Sequence, residues 1–241
     1  MSHRLYGELA EWWPLLSTRD SYAEESAHIS GLLDEALGRP AQRILELGSG
    51  GGLLASHFDP SREVVLTDMS AEMLTVARRH NPGRTLIQGD MRTLRLDARF
   101  DAVLLQDAVM YLTSESDLLA AFETAAAHLQ PGGVFMVLPD VVKENFQEQT
   151  LSGGSIGQPA AQLLEWHWDA DPEDDTFQVE MSFLLKDQAG QVRSVHERHD
   201  MGLFSAQTYV KTLRQAGFAM VEGLIWDEHQ LPEVFCGRLS G

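Results

Sequence analysis

Short apolar runs alternate with amphipathic segments along the first 140 residues of the chain. The apolar runs have the length and composition of buried strands and cover residues 43–47, 63–67, 85–88, 100–106 and 133–138. The amphipathic segments between them have the pattern of helices and cover residues 53–57, 70–80 and 114–129. Because strands that alternate with helices form βαβ units, this order predicts an α/β fold around a mostly parallel sheet.

The pattern changes over residues 139–200, which we call the insert. Alternating segments at 177–185 and 191–201 are flanked by an acidic run at 169–175 and by the turn-forming residues 188–190. This order predicts antiparallel, hairpin-like structure. After the insert, residues 205–216 have a helical pattern, and two closing strands are predicted at 218–225 and 234–239.

Charge narrows the range of partners. The chain has 241 residues with 18 Lys and Arg against 36 Asp and Glu, a formal net charge of −18. The insert holds four bases and thirteen acids, so its net charge is 4 − 13 = −9. Such a field repels nucleic acid and anionic membrane surfaces and favours a neutral or cationic ligand. It also argues against a nucleotide-linked sugar, since no cluster of Arg and Lys in the insert is suited to binding a pyrophosphate.

The number of cysteines and the lengths of the apolar segments indicate the cellular compartment in which the protein is expected. Cys236 is the single cysteine, so the chain forms no disulfide within itself. The N-terminus has neither the basic start nor the apolar run of a secretory signal, and no apolar stretch approaches the ~20 residues of a membrane-spanning helix. We therefore expect a soluble, cytoplasmic protein.

A glycine-rich turn follows the first predicted strand. Residues 46–52 read ELGSGGG, and Asp68 ends the second predicted strand 68 − 46 = 22 residues after Glu46. Glycines at such a turn let the backbone approach a ligand closely, and an acid at this distance accepts the ribose hydroxyls of a nucleoside. The alternatives are a tight turn without a ligand and a helix-capping role for Asp68. The two features together favour a nucleoside site.

The details of the turn favour one nucleoside. The dinucleotide fingerprint requires glycine at the sixth position of its hexad, which counted from Gly48 is Leu53. The carboxylate of Glu46 would repel a pyrophosphate and attract an ammonium or sulfonium group. The turn therefore favours S-adenosylmethionine over NAD.

Taken in order, these motifs resemble the class I S-adenosylmethionine-dependent methyltransferases. The resemblance extends over residues 44–138 and implies a Rossmann-like, seven-stranded, mostly parallel sheet with helices on both faces. It departs from the family in Ser49, where many members carry Cys or Ala. The Asn/Asp-Pro-Pro-Tyr motif of enzymes that methylate DNA bases or protein glutamine is absent, which argues against a macromolecular acceptor. The cofactor-binding residues that the resemblance implies are Glu46, Gly48, Ser49 and Gly50 for the methionine end, Asp68 for the ribose, Met69, Asp90 and Met91 for the adenine, and Gln106 at the end of the fourth strand.

The resemblance also implies how the chain is organised. Its N-terminal part is similar to the helix pair of small-molecule N-methyltransferases of the glycine and amino-sugar type, in which Tyr22 would contact the methionine carboxylate or the reacting sulfur. The alternative to this helix pair is that Tyr6, Trp12 and Trp13 only form an apolar packing face. We expect one methyltransferase domain, comprising an N-terminal helical lid (1–40), a cofactor-binding core (41–138), the insert as an antiparallel cap over the active site (139–200) and a closing helix and strands (201–241).

Candidates for the acceptor site come from the insert and the fourth strand. Strand periodicity puts Glu197 and His199 on one face of 195–201, which makes His199 the first candidate for proton acceptor. Glu197, Asp107 and Tyr111 are candidates for orienting the acceptor, while regular alternation turns His167 away from its flanking tryptophans. A solvated strand is the alternative for 195–201.

The predicted activity is methyl transfer from S-adenosylmethionine to a nitrogen or oxygen of a small neutral or cationic molecule. The rivals are a catalytically silent cofactor-binding protein and, with less support, an NAD-dependent oxidoreductase. No metal site is predicted, and the oligomeric state stays open.

Overall fold

The computed structural model describes residues 3–224 and 234–240. Its larger sheet has seven strands in the order β10-β11-β5-β4-β1-β2-β3. The strands of this sheet are β1 (Arg43–Leu47), β2 (Glu63–Asp68), β3 (Thr85–Gln88), β4 (Phe100–Gln106), β5 (Leu129–Leu138), β10 (Phe218–Leu224) and β11 (Val234–Leu239). The first five run parallel; at one edge β11 pairs antiparallel with β5, and β10 pairs antiparallel with β11 and so runs in the direction of the first five. The predicted Rossmann-like α/β fold is confirmed.

Helices cover both faces of this sheet. They are α1 (Trp13–Leu16), α2 (Ala23–Leu37), α3 (Ala71–His80), α4 (Glu115–His128) and α5 (Ala206–Gln215). Successive residues of β4 face opposite sides of the sheet and so reach the two helical layers. Leu104 packs in one core cluster with Ile29 of α2, and Leu105 packs in another with Phe122 of α4. Every residue of β4 is buried, as expected for a central strand covered on both sides. Within the described ranges, no helix is long and apolar enough to cross a bilayer.

Two predicted boundaries are wrong. Residues 53–57 form only the short 3₁₀ helix Ala55–His57, because Gly50 and Gly52 have positive φ and interrupt a helical backbone before it starts. Strand β5 begins at Leu129 rather than at residue 133, since Leu129 already pairs with Phe100 before the register shifts. The predicted segments at 70–80, 114–129 and 205–216 are confirmed as helices with serine N-caps. Ile225, which ends one predicted strand, lies outside the described residues.

The insert folds as a separate four-stranded antiparallel sheet, which confirms its predicted class. Its strands are β6 (Gln149–Gly154), β7 (Ala160–Trp168), β8 (Thr176–Lys186) and β9 (Val192–Gly202), in that spatial order. One face packs on the main core through Val179, Phe183 and Val195. All six residues of β6 are exposed, so this strand has no burial alternation to reveal it in the sequence.

Candidate functional site

The glycine-rich turn and Asp68 meet at the carboxyl ends of β1 and β2. The backbone N–H of Gly50 donates to Asp68 Oδ2 at 2.8 Å, and the N–H of Ser70 donates to Oδ1 at 2.8 Å. Burial raises the pKa of the Asp68 carboxyl, against the opposing effect of these backbone donors. Each oxygen keeps a lone pair, so the carboxylate is oriented for a further donor such as a ribose hydroxyl.

The turn approaches its neighbours too closely for a side chain at Gly48. A Cβ there would lie 2.4 Å from Cβ of Ala108, and the residue has a φ of +68°. Gly51 is similarly close to Trp13, whose Cδ1 would be 2.9 Å from an added Cβ. Only backbone therefore lines this part of the turn, so a ligand could approach the main chain closely at these two glycines.

Glu46, at the end of β1, is a buried carboxyl whose Oε2 has no hydrogen-bond partner among the described residues. Burial raises its pKa to about 8, and Asp68 and Glu25 add to the rise while Arg84 opposes it. An unpaired buried acid is costly unless a ligand satisfies it. A cation beside Glu46, such as the charged methionine end of S-adenosylmethionine, would do so, and the site therefore fits that cofactor.

The residues predicted for the adenine lie next to the ends of β2 and β3. Met69 is 62% exposed, and its carbonyl accepts from Gln88 Nε2 at 3.0 Å. Asp90 is bound by Arg92, whose Nη2 lies 2.7 Å from Oδ2, and this pairing lowers the Asp90 pKa. Met91 is half-buried. Ser49, predicted for the methionine end, is buried, and its hydroxyl has no hydrogen-bond partner among the described residues. The assignment of Met69, Asp90 and Met91 to the adenine stays a prediction.

A second set of polar groups lies where β4 ends. Gln106 Nε2 donates to Glu25 Oε1 at 2.6 Å and to Asp107 Oδ2 at 3.2 Å. Asp107 has a φ of 48°, and its N–H donates to Leu138 O at 2.9 Å. Positive φ at a residue other than glycine is typical of strained functional positions. Tyr22 lies close by, where burial and nearby acids, including Asp107, raise its pKa to about 12.

Asp107 lies close to Asp140, which the sequence analysis did not single out. The Asp140 carboxyl is close enough to that of Asp107 to raise the Asp107 pKa. Asp140 is an exposed residue, although neighbouring protein groups take away part of its hydration. Loss of hydration in this cleft raises the pKa of both carboxyl groups, that of Asp107 the more. Asp140 is the second residue after β5, a position that the strand-end rule makes a candidate.

Tyrosines and a histidine form a hydrogen-bonded chain on the other side of the cleft. Tyr6 Oη lies 2.6 Å from Tyr111 Oη, and Tyr111 Oη lies 2.9 Å from His199 Nδ1. His199 Nε2 is 3.3 Å from Glu197 Oε1. Burial and His3 lower the His199 pKa, although Glu197 opposes them, and loss of hydration raises the Tyr111 pKa. Both groups are therefore neutral near pH 7.

Glu197 holds the N-terminal segment over this chain of groups. Its Oε1 accepts from the Arg4 N–H at 2.5 Å and its Oε2 from the Leu5 N–H at 2.9 Å. His3 Nδ1 is 3.6 Å from Oε1, and the ligand atoms of His3, Glu197 and His199 lie within 4.8 Å of one another. Because backbone donors already occupy both oxygens, the main role of this carboxylate is to anchor residues 3–6.

The structure brings together the four acceptor-site candidates, with Glu197 and His199 on the inner face of β9 as predicted. Asp107 is the N-cap of the short 3₁₀ helix Ala108–Tyr111 that follows β4, and Tyr111 is its last residue. His167 faces inward on β7, where its Nε2 is 2.9 Å from Glu165 Oε2. Trp166 and Trp168 lie on the outer face, as the alternation predicts. Tyr6 and Glu25 reach the site from the N-terminal segments that resemble the helix pair of small-molecule N-methyltransferases, although the sequence assigned neither residue a role in the site.

Comparison with known proteins identifies the family of the chain. A family model described as a methyltransferase domain matches residues 44–133. A dTDP-3-amino-3,4,6-trideoxy-α-D-glucopyranose N,N-dimethyltransferase of Streptomyces venezuelae is 31% identical over 81% of this chain and 83% of its own length. A dTDP-3-amino-3,6-dideoxy-α-D-glucopyranose N,N-dimethyltransferase of Streptomyces fradiae is 28% identical over 89% of this chain and 85% of its length.

Solved structures give the same result. The crystal structure of DesVI of Streptomyces venezuelae has a TM-score of 0.81 at 27% identity, covering 97% of this chain and 98% of that one. CalS10, an S-adenosylmethionine-bound amino pentose methyltransferase from Micromonospora echinaspora, has a TM-score of 0.74 at 26% identity, covering 91% and 92% of the two chains. The chain therefore belongs to the class I S-adenosylmethionine-dependent methyltransferases and is an enzyme that transfers a methyl group from this cofactor to a small molecule.

Proposed function

We propose that this enzyme methylates the amine nitrogen of a small amino sugar or a closely related amine. The observation that carries this proposal is the cleft at the carboxyl ends of the strands. There, Gly48 of the glycine-rich turn lies close to Ala108, the residue after Asp107. Tyr6, which begins the neutral chain Tyr6–Tyr111–His199, accepts from Ser70 Oγ through its carbonyl. The relatives described above support nitrogen as the acceptor atom, because their names specify N-methylation of amino sugars.

Each part of the cofactor has a group suited to it. Asp68 would bind the ribose, the Gly48–Gly50 backbone and Glu46 the charged methionine end, and Met69, Asp90 and Met91 the adenine. Gln106 and Tyr22 would border the reacting sulfur, and Ser49 would add its free hydroxyl. The orphaned carboxylate oxygen of Glu46 and the lack of room at Gly48 support this arrangement. The bound cofactor supplies an electrophilic methyl group.

The protein contributes to the reaction mainly by positioning the acceptor and by excluding water. In-line displacement requires the nitrogen lone pair to point at the methyl carbon, and holding it there removes much of the entropic barrier. The hydroxyls of Tyr6 and Tyr111 and the imidazole of His199 are neutral donors and acceptors that can orient an amino sugar. His199 is the first candidate to accept a proton relayed through Tyr111, since burial keeps it unprotonated.

The two segments that border the cleft would exclude water. We propose that residues 1–40 act as a lid and that the insert acts as a cap. Three contacts support this: Glu197 binds the N–H groups of Arg4 and Leu5, Ser70 Oγ donates to Tyr6 O, and Trp13 packs against Gly51. Each contact ties the N-terminal segment to the insert or to the cofactor-binding core.

The test is formation of S-adenosylhomocysteine with a panel of small amines, amino-sugar glycosides and matched hydroxyl compounds. We expect turnover with amines. Substitution His199→Ala should lower kcat at least tenfold while leaving cofactor affinity unchanged, since the site of the cofactor is separate. His196→Ala is the matched control, because His196 lies on the exposed face of the same strand and pairs with Glu180. Turnover of hydroxyl compounds alone, or an active His199→Ala variant, would refute the corresponding assignment.

A further inference from the structure

Three side chains that commonly bind metal ions meet where the N-terminal segment crosses β9. His3 comes from the start of the chain, and Glu197 and His199 lie on the inner face of β9. Their candidate donor atoms all lie within 4.8 Å of one another. Two imidazoles and one carboxylate are a donor set that prefers transition-metal dications to Mg²⁺ or Ca²⁺.

The distances between these donor atoms suit a tetrahedral ion. Glu197 Oε1 lies 3.3 Å from His199 Nε2 and 3.6 Å from His3 Nδ1. Ligand atoms that are each about 2.0–2.1 Å from Zn²⁺ lie roughly 3.4 Å apart along the edges of a tetrahedron. The carboxylate oxygen is therefore close to the required distance from both imidazole nitrogens.

Binding an ion requires one small movement. The ring centroids of His3 and His199 are 3.9 Å apart, with an angle of 45° between the ring planes. Two imidazoles on one tetrahedral ion have ring centres roughly 5 Å apart, so the His3 ring has to move outward by about 1 Å. The His3 side chain is partly exposed and can make this movement toward solvent.

Hydrogen bonds already orient the two ligands on β9. His199 Nδ1 lies 2.9 Å from Tyr111 Oη, which leaves Nε2 as the ring nitrogen beside Glu197. Glu197 accepts from the N–H groups of Arg4 and Leu5, one at each oxygen. In metal sites, contacts of this kind fix the imidazole tautomer and the direction of the carboxylate. The site thus has the supporting contacts that a bound metal ion needs.

The cluster is also accessible to an ion from solvent. The exposed fraction of the side chain rises from 0% at His199 to 8% at Glu197 and 32% at His3. His3 therefore marks the entrance, where a water molecule could take the fourth coordination position. The net charge of −18 raises the concentration of cations near the protein surface.

We propose that His3, Glu197 and His199 bind a transition-metal dication of the Zn²⁺ class. The proposal goes beyond methyl transfer, because the ion is neither the cofactor nor the acceptor. His3 lies at one end of the chain and its two partners near the other, so no sequence motif marks this site.

Such an ion would lock the N-terminal segment in place. Glu197 holds Arg4 and Leu5 through hydrogen bonds alone. A coordinate bond from His3 adds a connection between this segment and β9, which keeps the segment closed while the ion is bound. If residues 1–40 act as a lid, a consequence that rests on the proposed function, the ion slows exchange of ligands with the cleft.

The first experiment measures metal binding directly. ZnCl₂ is titrated calorimetrically into the chelator-treated full chain without an affinity tag. We expect one ion per chain with a Kd of about 10 µM or tighter, unchanged by excess Mg²⁺. A Kd weaker than about 10 µM, or the absence of a one-to-one site, would overturn the proposal.

Two single substitutions test which residues hold the ion. His3→Ala should weaken Zn²⁺ binding at least about 100-fold, since losing a ligand costs more than losing a supporting hydrogen bond. His196→Ala is the matched control, because His196 also lies beside a carboxylate on β9, with Nε2 2.9 Å from Glu180 Oε2, but on the exposed face. Equal Zn²⁺ affinity in wild type and His3→Ala would overturn the assignment.

Co²⁺ reports the coordination geometry. Four-coordinate Co²⁺ absorbs visible light strongly, whereas the six-coordinate hydrated ion absorbs weakly. We expect the strong spectrum with wild type and its loss in His3→Ala. A weak, six-coordinate spectrum with wild type would contradict the tetrahedral site.

Hydrogen exchange of the Arg4 and Leu5 N–H groups tests the lock. At a free Zn²⁺ concentration ten times Kd, binding to the closed segment alone favours that state about tenfold, so exchange should slow by about this factor. His3→Ala should show no such slowing. Unchanged exchange in Zn²⁺-bound wild type would overturn the lock. None of these readouts uses turnover, so failure of the proposed methyl acceptor would leave them interpretable.

Discussion

The site has a half predicted to hold the cofactor and a half predicted to hold the acceptor. Both halves use carboxyl groups, but they hold them in place in different ways. In the cofactor half, Glu46 and Asp68 lie on the neighbouring parallel strands β1 and β2, and backbone N–H groups orient Asp68. In the acceptor half, Glu25 and Asp107 come from separate segments, and Gln106 holds both through side-chain hydrogen bonds. The local half is fixed by backbone geometry, whereas the assembled half depends on single side chains. We infer that the acceptor half is the part free to change specificity.

The largest expected effect tests the backbone geometry of the cofactor half. Gly48→Ala should weaken S-adenosylmethionine binding more than 100-fold, because its Cβ would meet Ala108 at 2.4 Å. Gly83→Ala is the matched control, since Gly83 also has positive φ but nothing within 4 Å of an added Cβ. Calorimetric titration of both variants separates the steric clash from backbone strain. Equal affinities in the two would show that the turn does not contact the cofactor.

A smaller effect, a change of cofactor affinity with pH, tests the role of the buried Glu46 carboxyl in the cofactor half. Burial raises the Glu46 pKa to about 8, so its ionised fraction rises about eightfold from pH 6.5 to 7.5. If a cation binds beside the ionised form, cofactor affinity should rise with pH over this range by up to that factor. Titrations of wild type and Glu46→Gln at both pH values measure it. A pH dependence that persists in Glu46→Gln would assign the effect to another group.

The smallest expected effect concerns the anchoring of the N-terminal segment. Glu197→Gln retains one oxygen acceptor but loses the bond to either Arg4 or Leu5 N–H. We expect the acceptor KM to rise two- to fivefold, with kcat and cofactor Kd little changed, because a net contribution of about 0.5–1 kcal/mol from one such bond corresponds to that factor. Glu180→Gln, on the outer face of the insert, provides the comparison. A large fall in kcat would instead place Glu197 in the chemical step.

The sequence predicts the cofactor half well for a physical reason. Strand, turn and acid follow one another within 22 residues, from Glu46 to Asp68, so that chain order alone brings them together. The alternation along β9 also predicts correctly that Glu197 and His199 share the inner face. These features depend on local periodicity and on the rule that ligands bind at strand ends.

The acceptor half depends on contacts that local patterns do not encode. Tyr6 and Tyr111 are 105 residues apart, yet their hydroxyls lie 2.6 Å from each other. Glu25 meets Gln106 across 81 residues. The strand-end rule could have identified Asp140, but the positive φ of Asp107 has no signal in the sequence. The roles assigned to site residues, the limits of lid and cap, and the cytoplasmic location stay predictions.

The most direct test of the central claim is the cofactor affinity of Asp68→Ala. S-adenosylhomocysteine is titrated calorimetrically into wild type, Asp68→Ala and the control Asp59→Ala, whose carboxylate caps an exposed turn by accepting from Ser61 N–H. We expect Asp68→Ala to bind about 30- to 100-fold more weakly, equivalent to about 2–3 kcal/mol for lost hydrogen bonds to a charged group, with Asp59→Ala unchanged. Equal affinity in wild type and Asp68→Ala would contradict the assignment of the ribose site.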